Sequence, residues 1–271
     1  MRAIRRLALL SDVHGNQVAL DAVLTDLFTQ TPVDEVWALG DLVAIGPDPV
    51  GVLERLHGLP NCRFLAGNSE RYVRTGERPL PDPATAASRP HLPGLIAGFS
   101  WTAGRLHESG WFDWLTSLPE SLSGELSTGE SVVGVHATPG RDDGPGLHPL
   151  LSDDDLESML DLADADILCA GHTHLPLHRC IGRRSAINLG SVSNPSKHGD
   201  GTASYVLIDA TGTKADISHR SVEYDMRAVL QQLLEVRHPA LGFIEDSYFN
   251  RHLIAGEPRL SSGVEAGGRH S

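Results

Sequence analysis

Seven side chains of metal-binding type recur at related places along this chain: Asp12, His14, Asp41, Asn68, His136, His172 and His174. Each ends or closely follows a short apolar run, the position at which an open α/β sheet builds its ligand site. Asp12 and His14 form Asp-x-His, and His172 and His174 form His-x-His. In extended backbone, residues i and i+2 project to the same side, so each pair is expected to aim at one cluster. Gly40 precedes Asp41 and Gly67 precedes Asn68, which lets the backbone turn sharply and come close to an ion. A mixture of carboxylate, amide and imidazole suits Mn, Fe, Ni or Zn, and differs from all-oxygen calcium or magnesium cages and from thiolate zinc sites. Seven ligands are too many for one tetrahedral ion and suit two ions that share a bridging carboxylate. Two divalent cations outweigh the charges of Asp12 and Asp41, leaving positive charge for a phosphate and a bridging hydroxide. Ions about 3.5–4 Å apart stabilise both the attacking and the leaving oxygen of an in-line displacement.

The elements that must present these groups are legible as alternating runs. Residues 7–10, 35–39, 62–66, 132–135 and 166–170 are short, mainly apolar runs, the mark of strands covered on both faces. Residues 17–28 and about 50–56 carry helical stripes between the early strands, so the expected class is α/β. Residues 78–93, rich in Pro, Ala and Ser, read as a surface excursion. Residues 94–107 and 110–118 read as helical, with Trp101, Trp111, Phe112 and Trp114 packed between elements. Ser152 ahead of three aspartates reads as a capping box, and Asp48 as the cap of the helix after it. Residues 205–209 and 214–219 read as late strands, and 223–236 as an amphipathic helix. No linker splits the chain. Residues 1–255 are therefore expected to form one domain, and 256–271, rich in Gly and Ser, a disordered tail.

Bulk properties narrow the function. The 271 residues carry 22 Lys and Arg against 35 Asp and Glu, a formal net charge of −13, with Lys197 and Lys214 the only lysines. Such a surface repels extended nucleic acid while leaving a small phosphorylated substrate free to reach a local cationic centre. Cys62, Cys169 and Cys180 are odd in number and widely spaced, which suggests free thiols in a reducing compartment. The apolar run at 7–10 is too short for a signal peptide, and no run of roughly 18 apolar residues reads as a membrane span. The expected location is cytoplasmic.

Five blocks taken together resemble the calcineurin-like metallophosphoesterase superfamily. They are Ser11-Asp12-Val13-His14-Gly15-Asn16, Gly40-Asp41, Gly67-Asn68, His136 and Gly171-His172-Thr173-His174, in that order. Gly46-Pro47-Asp48-Pro49 and the segment from Ile187 to Ser191 resemble a group of bacterial predicted phosphodiesterases. The resemblance spans roughly residues 7–210. It implies two mixed β-sheets packed as a sandwich and flanked by helices, a four-layer α-β-β-α arrangement. It implies Asp12, His14 and His174 on a first ion, Asn68, His136 and His172 on a second, and Asp41 bridging them. Asp41, Asn68 and His136 would also be the catalytic residues. Asn16 and Asn188 are expected beside the site, contacting phosphate, fixing a ligand loop, or shaping a local turn.

Two departures from the family pattern bear on chemistry. Where many members have a histidine that assists the leaving group, this chain has Ser69, in Gly67-Asn68-Ser69-Glu70. A serine hydroxyl is too weak an acid for that task, which typically contributes ~10²–10⁴-fold. His198, His148 and His91 are candidate substitutes, each otherwise an ordinary surface histidine. Glu70, with no histidine to orient, reads as an exposed carboxylate. Where some relatives carry Asp-Arg-Gly, this chain has Ala44-Ile45-Gly46; Arg71 and Arg89 are candidate phosphate ligands, each otherwise a solvated arginine. The expectation is a dinuclear metal-dependent phosphodiesterase acting on a small or nucleotide-like phosphoester. The alternatives are a protein or nucleotide phosphomonoesterase, and a weakly active metal-binding regulatory protein.

Overall fold

The computed structural model describes residues 3–78, 92–193 and 202–247. His91, Arg89, His198 and the tail from 256 onward lie outside the described residues. Two five-stranded sheets face each other. The first has the order β10-β9-β1-β2-β3, from Asp216–Glu223, Thr202–Asp209, Arg6–Leu10, Glu35–Leu39 and Cys62–Leu65. The second has the order β4-β5-β6-β8-β7, from Ser121–Glu125, Ser131–Val135, Ile167–Ala170, Arg184–Asn188 and Leu177–Ile181. In each, three neighbouring strands run parallel (β1, β2, β3 and β5, β6, β8), while the outer pairings are antiparallel. Both sheets are mixed, as the resemblance implied.

The two-residue period of the strands divides the apolar side chains between layers. Leu7 and Leu9 of β1 point inward, joining Trp37, Leu39, Ile167, Cys169, Ile187 and Val206 between the sheets. Ala8 and Leu10 point outward, against Leu20, Val23 and Leu27 of helix α1 (Gln17–Thr29) and Leu53 and Leu56 of α2 (Pro49–His57). On the far side, Leu168, Ala170 and Ala186 pack on Leu156 and Leu160 of α5 (Asp153–Ala163). Coverage on both faces explains why the central strands read as mainly apolar runs.

Local signals match the sequence at several ends. Asp48 Oδ1 accepts Gly51 N–H at 2.9 Å and caps α2, and Ser152 with Asp155 forms the capping box of α5. Helix α4 (Leu92–Ser109) covers the region expected to be helical. Trp111, Phe112 and Trp114 pack against the helical layer, where Trp111 and Trp114 both lie against His57.

Other elements differ from expectation. The second expected helix is only a 3-10 turn, Asp113–Ser117, separated from α4 by Gly110 at φ +80°. Glu223 ends β10, and the helix after it, α6, begins at Met226 with Asp225 as its cap. Helix α3 (Asn68–Thr75) and the edge strands β4 and β7 were not legible, since each is short, with α3 and β4 mostly polar and β7 interrupted by His178 and Arg179. A last helix, α7, spans Leu241–Ser247. Among the described residues no helix is long and apolar enough to cross a membrane.

Candidate metal centre

The seven side chains meet where the parallel strands of both sheets end. Asp12, His14 and Asp41 follow β1 and β2, Asn68 opens α3 after β3, His136 follows β5, and His172 and His174 follow β6. His174 Nε2 lies 3.1 Å from Asp12 Oδ1 and 3.3 Å from His14 Nε2. His136 Nε2 lies 3.3 Å from Asp41 Oδ1 and 3.1 Å from Asn68 Oδ1. His172 Nδ1 lies 3.0 Å from the same amide oxygen. The Asp41 carboxylate stands between the two halves: Oδ1 faces His136, and Oδ2 is 3.8 Å from His14 Nε2. Asp12, His14, Asp41 and His136 are buried, while Asn68, His172 and His174 are half-buried and form the solvent side.

The backbone that delivers them is not extended, which corrects the strand-alternation reading of the two paired motifs. Asp12, His14, Asp41, His172 and His174 all have positive φ, between 50° and 67°. Such a conformation costs non-glycine residues of order 1–3 kcal/mol each and persists only where surroundings impose it. The imposition comes from main-chain bonds between the loops: His14 N–H to Asp41 O at 2.8 Å, Asp12 N–H to Gly40 O at 3.1 Å, and Gly15 N–H to Leu42 O at 2.7 Å. The glycines before the ligands make room for those loops. A Cβ on Gly67 would lie 2.3 Å from Asp41 Oδ1, and one on Gly171 2.3 Å from Asp12 Oδ2.

Three backbone carbonyls decide which imidazole nitrogens are free. His14 Nδ1–H donates to Ala44 O at 3.2 Å, His136 Nδ1–H to Leu39 O at 2.8 Å, and His172 Nε2–H to Gly144 O at 3.0 Å. A carbonyl can only accept, so in each neutral ring the opposite nitrogen is a lone pair, and all three lone pairs face into the cluster. With Asn68 Oδ1 turned inward, its corner holds three acceptors facing one another, an arrangement that calls for a cation. The same amide turned over donates Nδ2–H to His172 Nδ1 and His136 Nε2, at 3.0 and 3.1 Å, and fills the corner without one. The donor set therefore fits divalent metal.

Charge follows from this packing. Burial lifts the Asp41 carboxyl, but His136, His14 and the Ser69 N–H overcome it and hold Asp41 far below the usual carboxylate range. Burial also lifts Asp12, and His174 reverses the effect. Burial pulls His136 down, yet Asp41, Asp12 and the Leu39 carbonyl raise it to about 10, so without metal a proton stands in for the cation. Burial pushes His14 down to about 4, leaving it neutral.

Two neighbours, Glu70 and Arg71, differ from expectation. Glu70 is not exposed: its carboxylate accepts Asp41 N–H, Leu42 N–H and Gly67 N–H at 2.8 Å each. Burial and the Asp41 charge lift it to about 7. The signal was available, since an acid three residues after a helix-opening glycine completes half of a capping box. Arg71 is not solvated but tied to Asp142, Asp143 and Glu77. Asn16 and Asn188 are buried, and their amides are engaged locally. Asn16 Oδ1 caps α1 through Ala19 N–H while Nδ2 donates to Ser193 Oγ. Asn188 Nδ2 donates to Gly171 O, Leu147 O and Thr173 Oγ1, so it braces the His172–His174 loop. Ser69 is buried, its N–H donating to Asp41 Oδ1 at 2.8 Å. His148 is half-buried and its Nδ1 accepts Leu150 N–H at 3.2 Å.

A two-sheet sandwich with candidate metal ligands converging at its strand ends defines a candidate metal-binding scaffold. The sequence model of the Calcineurin-like phosphoesterase superfamily domain matches residues 6–213, and the chain belongs to that superfamily. An uncharacterized protein of Methanocaldococcus jannaschii is 27% identical over 248 residues, covering 86% of this chain and 93% of that protein. The structure of a metallophosphoesterase from Sphaerobacter thermophilus is similar at TM-score 0.69 and 25% identity, over 90% of this chain and 99% of its own. A hypothetical protein from Pyrococcus horikoshii shares the fold at TM-score 0.75 and 20% identity, over 88% and 96% of the two chains.

Proposed function

We propose that this phosphoesterase is a dinuclear phosphodiesterase acting on a small or nucleotide-like phosphoester. Asp12, His14 and His174 would hold one cation, Asn68, His136 and His172 the other, and Asp41 both. The observation that carries this reading is the set of three carbonyl-fixed imidazoles whose lone pairs face two buried carboxylates, Asp12 and Asp41, and the Asn68 amide. Two divalent cations, once bound, supply positive charge against the phosphoryl oxygens and activate water for in-line attack. The donor types favour Mn, Fe, Ni or Zn. Asp41, Asn68 and His136 line the place where phosphorus would sit.

A diester is favoured over a monoester by the charge at the rim. Arg71, one turn beyond Asn68, is neutralised by three carboxylates, so it offers little to the second charge of a phosphate monoester. The net charge of −13 argues against extended nucleic acid as partner, and the three free thiols suit the cytoplasm. Ser69 favours a second reading, a metal-binding regulator of low activity. Elemental analysis followed by a screen of mono- and diesters with Mn²⁺, Fe²⁺, Ni²⁺ and Zn²⁺ separates these readings. Two metal equivalents with diester turnover supports the first, faster monoester cleavage the phosphatase alternative, and metal without turnover the regulator.

A further inference from the structure

We infer that Arg71 is a positioning residue for the Asn68–His136–His172 corner, acting through the segment that carries Gly144 and not by touching substrate. The inference rests on the two-cation reading above. Arg71 Nε and Nη2 grip Asp142 in a two-pronged pair at 2.7 and 2.9 Å, and Nη2 reaches Asp143 Oδ2 at 3.0 Å. Nη1 pairs with Glu77 of the same region of chain. Two residues beyond Asp142, the Gly144 carbonyl accepts His172 Nε2–H at 3.0 Å.

That carbonyl lies on a segment with little support of its own. Gly144 and Gly146 have φ of +96° and +64°, and neither a helix nor a strand runs through them. On its far side the segment is anchored at the Leu147 carbonyl, which accepts Thr173 Oγ1–H and Asn188 Nδ2–H at 2.9 Å each. On its near side the Thr138–Arg141 main-chain bridge ends at residue 141, and the Arg71 fork is the anchor of Asp142 and Asp143 beyond it. Gly144 hangs between the two. Releasing the near anchor lets its carbonyl move, and the His172 proton is then free to sit on either ring nitrogen. With the proton on Nδ1, the lone pair facing Asn68 is lost, and with it one bond to the second cation.

Lysine keeps the charge of Arg71 but not its planar fork, so Arg71→Lys separates the two roles. Purified metal-free wild type, Arg71→Lys, Asp142→Asn and the double variant would be titrated with Mn²⁺. Histidine ¹⁵N spectra of the same metal-free samples at pH 8 report which ring nitrogen carries the proton. The expected result is ~10–100-fold weaker binding of one Mn²⁺ equivalent in each single variant, the usual size of a support-shell loss. The double variant should be no worse, Tm should hold, and the His172 signal should move from one tautomer to a mixture. Unchanged Mn²⁺ binding and an unchanged His172 signal, with only KM raised, would overturn the inference and make Arg71 a phosphate ligand. If wild type takes up a single equivalent, the two-cation reading fails. The His172 spectrum still decides the role of Arg71 in that case.

Discussion

The carboxylate of Glu70 accepts the main-chain N–H of Asp41 at 2.8 Å, so one buried acid holds another by its backbone. The same group also takes the N–H groups of Leu42 and Gly67, tying the end of β2 to the start of α3. Glu70→Gln keeps the shape but turns an NH₂ toward backbone donors. Each stranded buried donor costs about 1–3 kcal/mol, so a loss of ~2–4 kcal/mol in unfolding free energy is expected. Metal uptake should fall with it. Wild-type stability in urea unfolding would show that these bonds carry no weight.

Asp41 turns one oxygen to each half of the cluster. Asp41→Asn keeps the volume and removes the charge that both halves share. Elemental analysis should find both metal equivalents lost together. Retention of one equivalent would mean that the residue serves one half only.

Metal binding should release a proton near neutral pH. In the metal-free protein His136 is held at about 10, and the cation needs the nitrogen that carries this proton. Calorimetry at pH 8 in two buffers of different ionisation heat should register about one proton released as the site holding His136 fills. The raised pKa also adds stability that is complete below 6.5 and is lost as pH rises toward 10. Denaturant unfolding of the metal-free protein should show that alkaline decline, and His136→Ala should flatten it.

Gly67 touches Asp41 as closely as backbone allows. In Gly67→Ala the new methyl would overlap Asp41 Oδ1 at 2.3 Å and Asp41 N at 2.5 Å. Overpacking at such a place costs about 1–3 kcal/mol and displaces the carboxylate. Thermal unfolding and metal analysis should both register the change, and normal metal content would argue that the loop yields freely.

Ser69 leaves the leaving group without an imidazole at its own position. Rates should therefore fall steeply with leaving-group pKa, an alkyl diester running much slower than a nitrophenyl diester, and a restored general acid would recover up to ~10²–10⁴-fold of the alkyl rate. Ser69→His should help the alkyl ester more, within the limits of a buried position. Equal wild-type rates for the two esters would mean that another group supplies the proton.

The sequence by itself determined the strands that carry the ligands, β1, β2, β3, β5 and β6, and the order of the ligands along them. Residues 7–10, 36–39 and 167–170 are apolar without interruption because both faces of each strand are covered, and the polar residue after each run has nowhere to go but the sheet edge. The blocks holding Asp12, Asp41, Asn68, His136, His172 and His174 were legible for that reason. Only the tertiary structure decided how those ligands are held. Positive φ at Asp12, His14 and Asp41 is imposed by main-chain bonds between loops about thirty residues apart, as His14 N–H to Asp41 O illustrates. Glu70 looks like any surface acid on a polar helix until the donors of residues 41 and 42 close over it. Likewise, His172 owes the lone pair it shows to Asn68 to a carbonyl at Gly144. Apolar periodicity is a property of neighbouring residues and is written locally. A polar group is held by partners that only folding brings within hydrogen-bond reach.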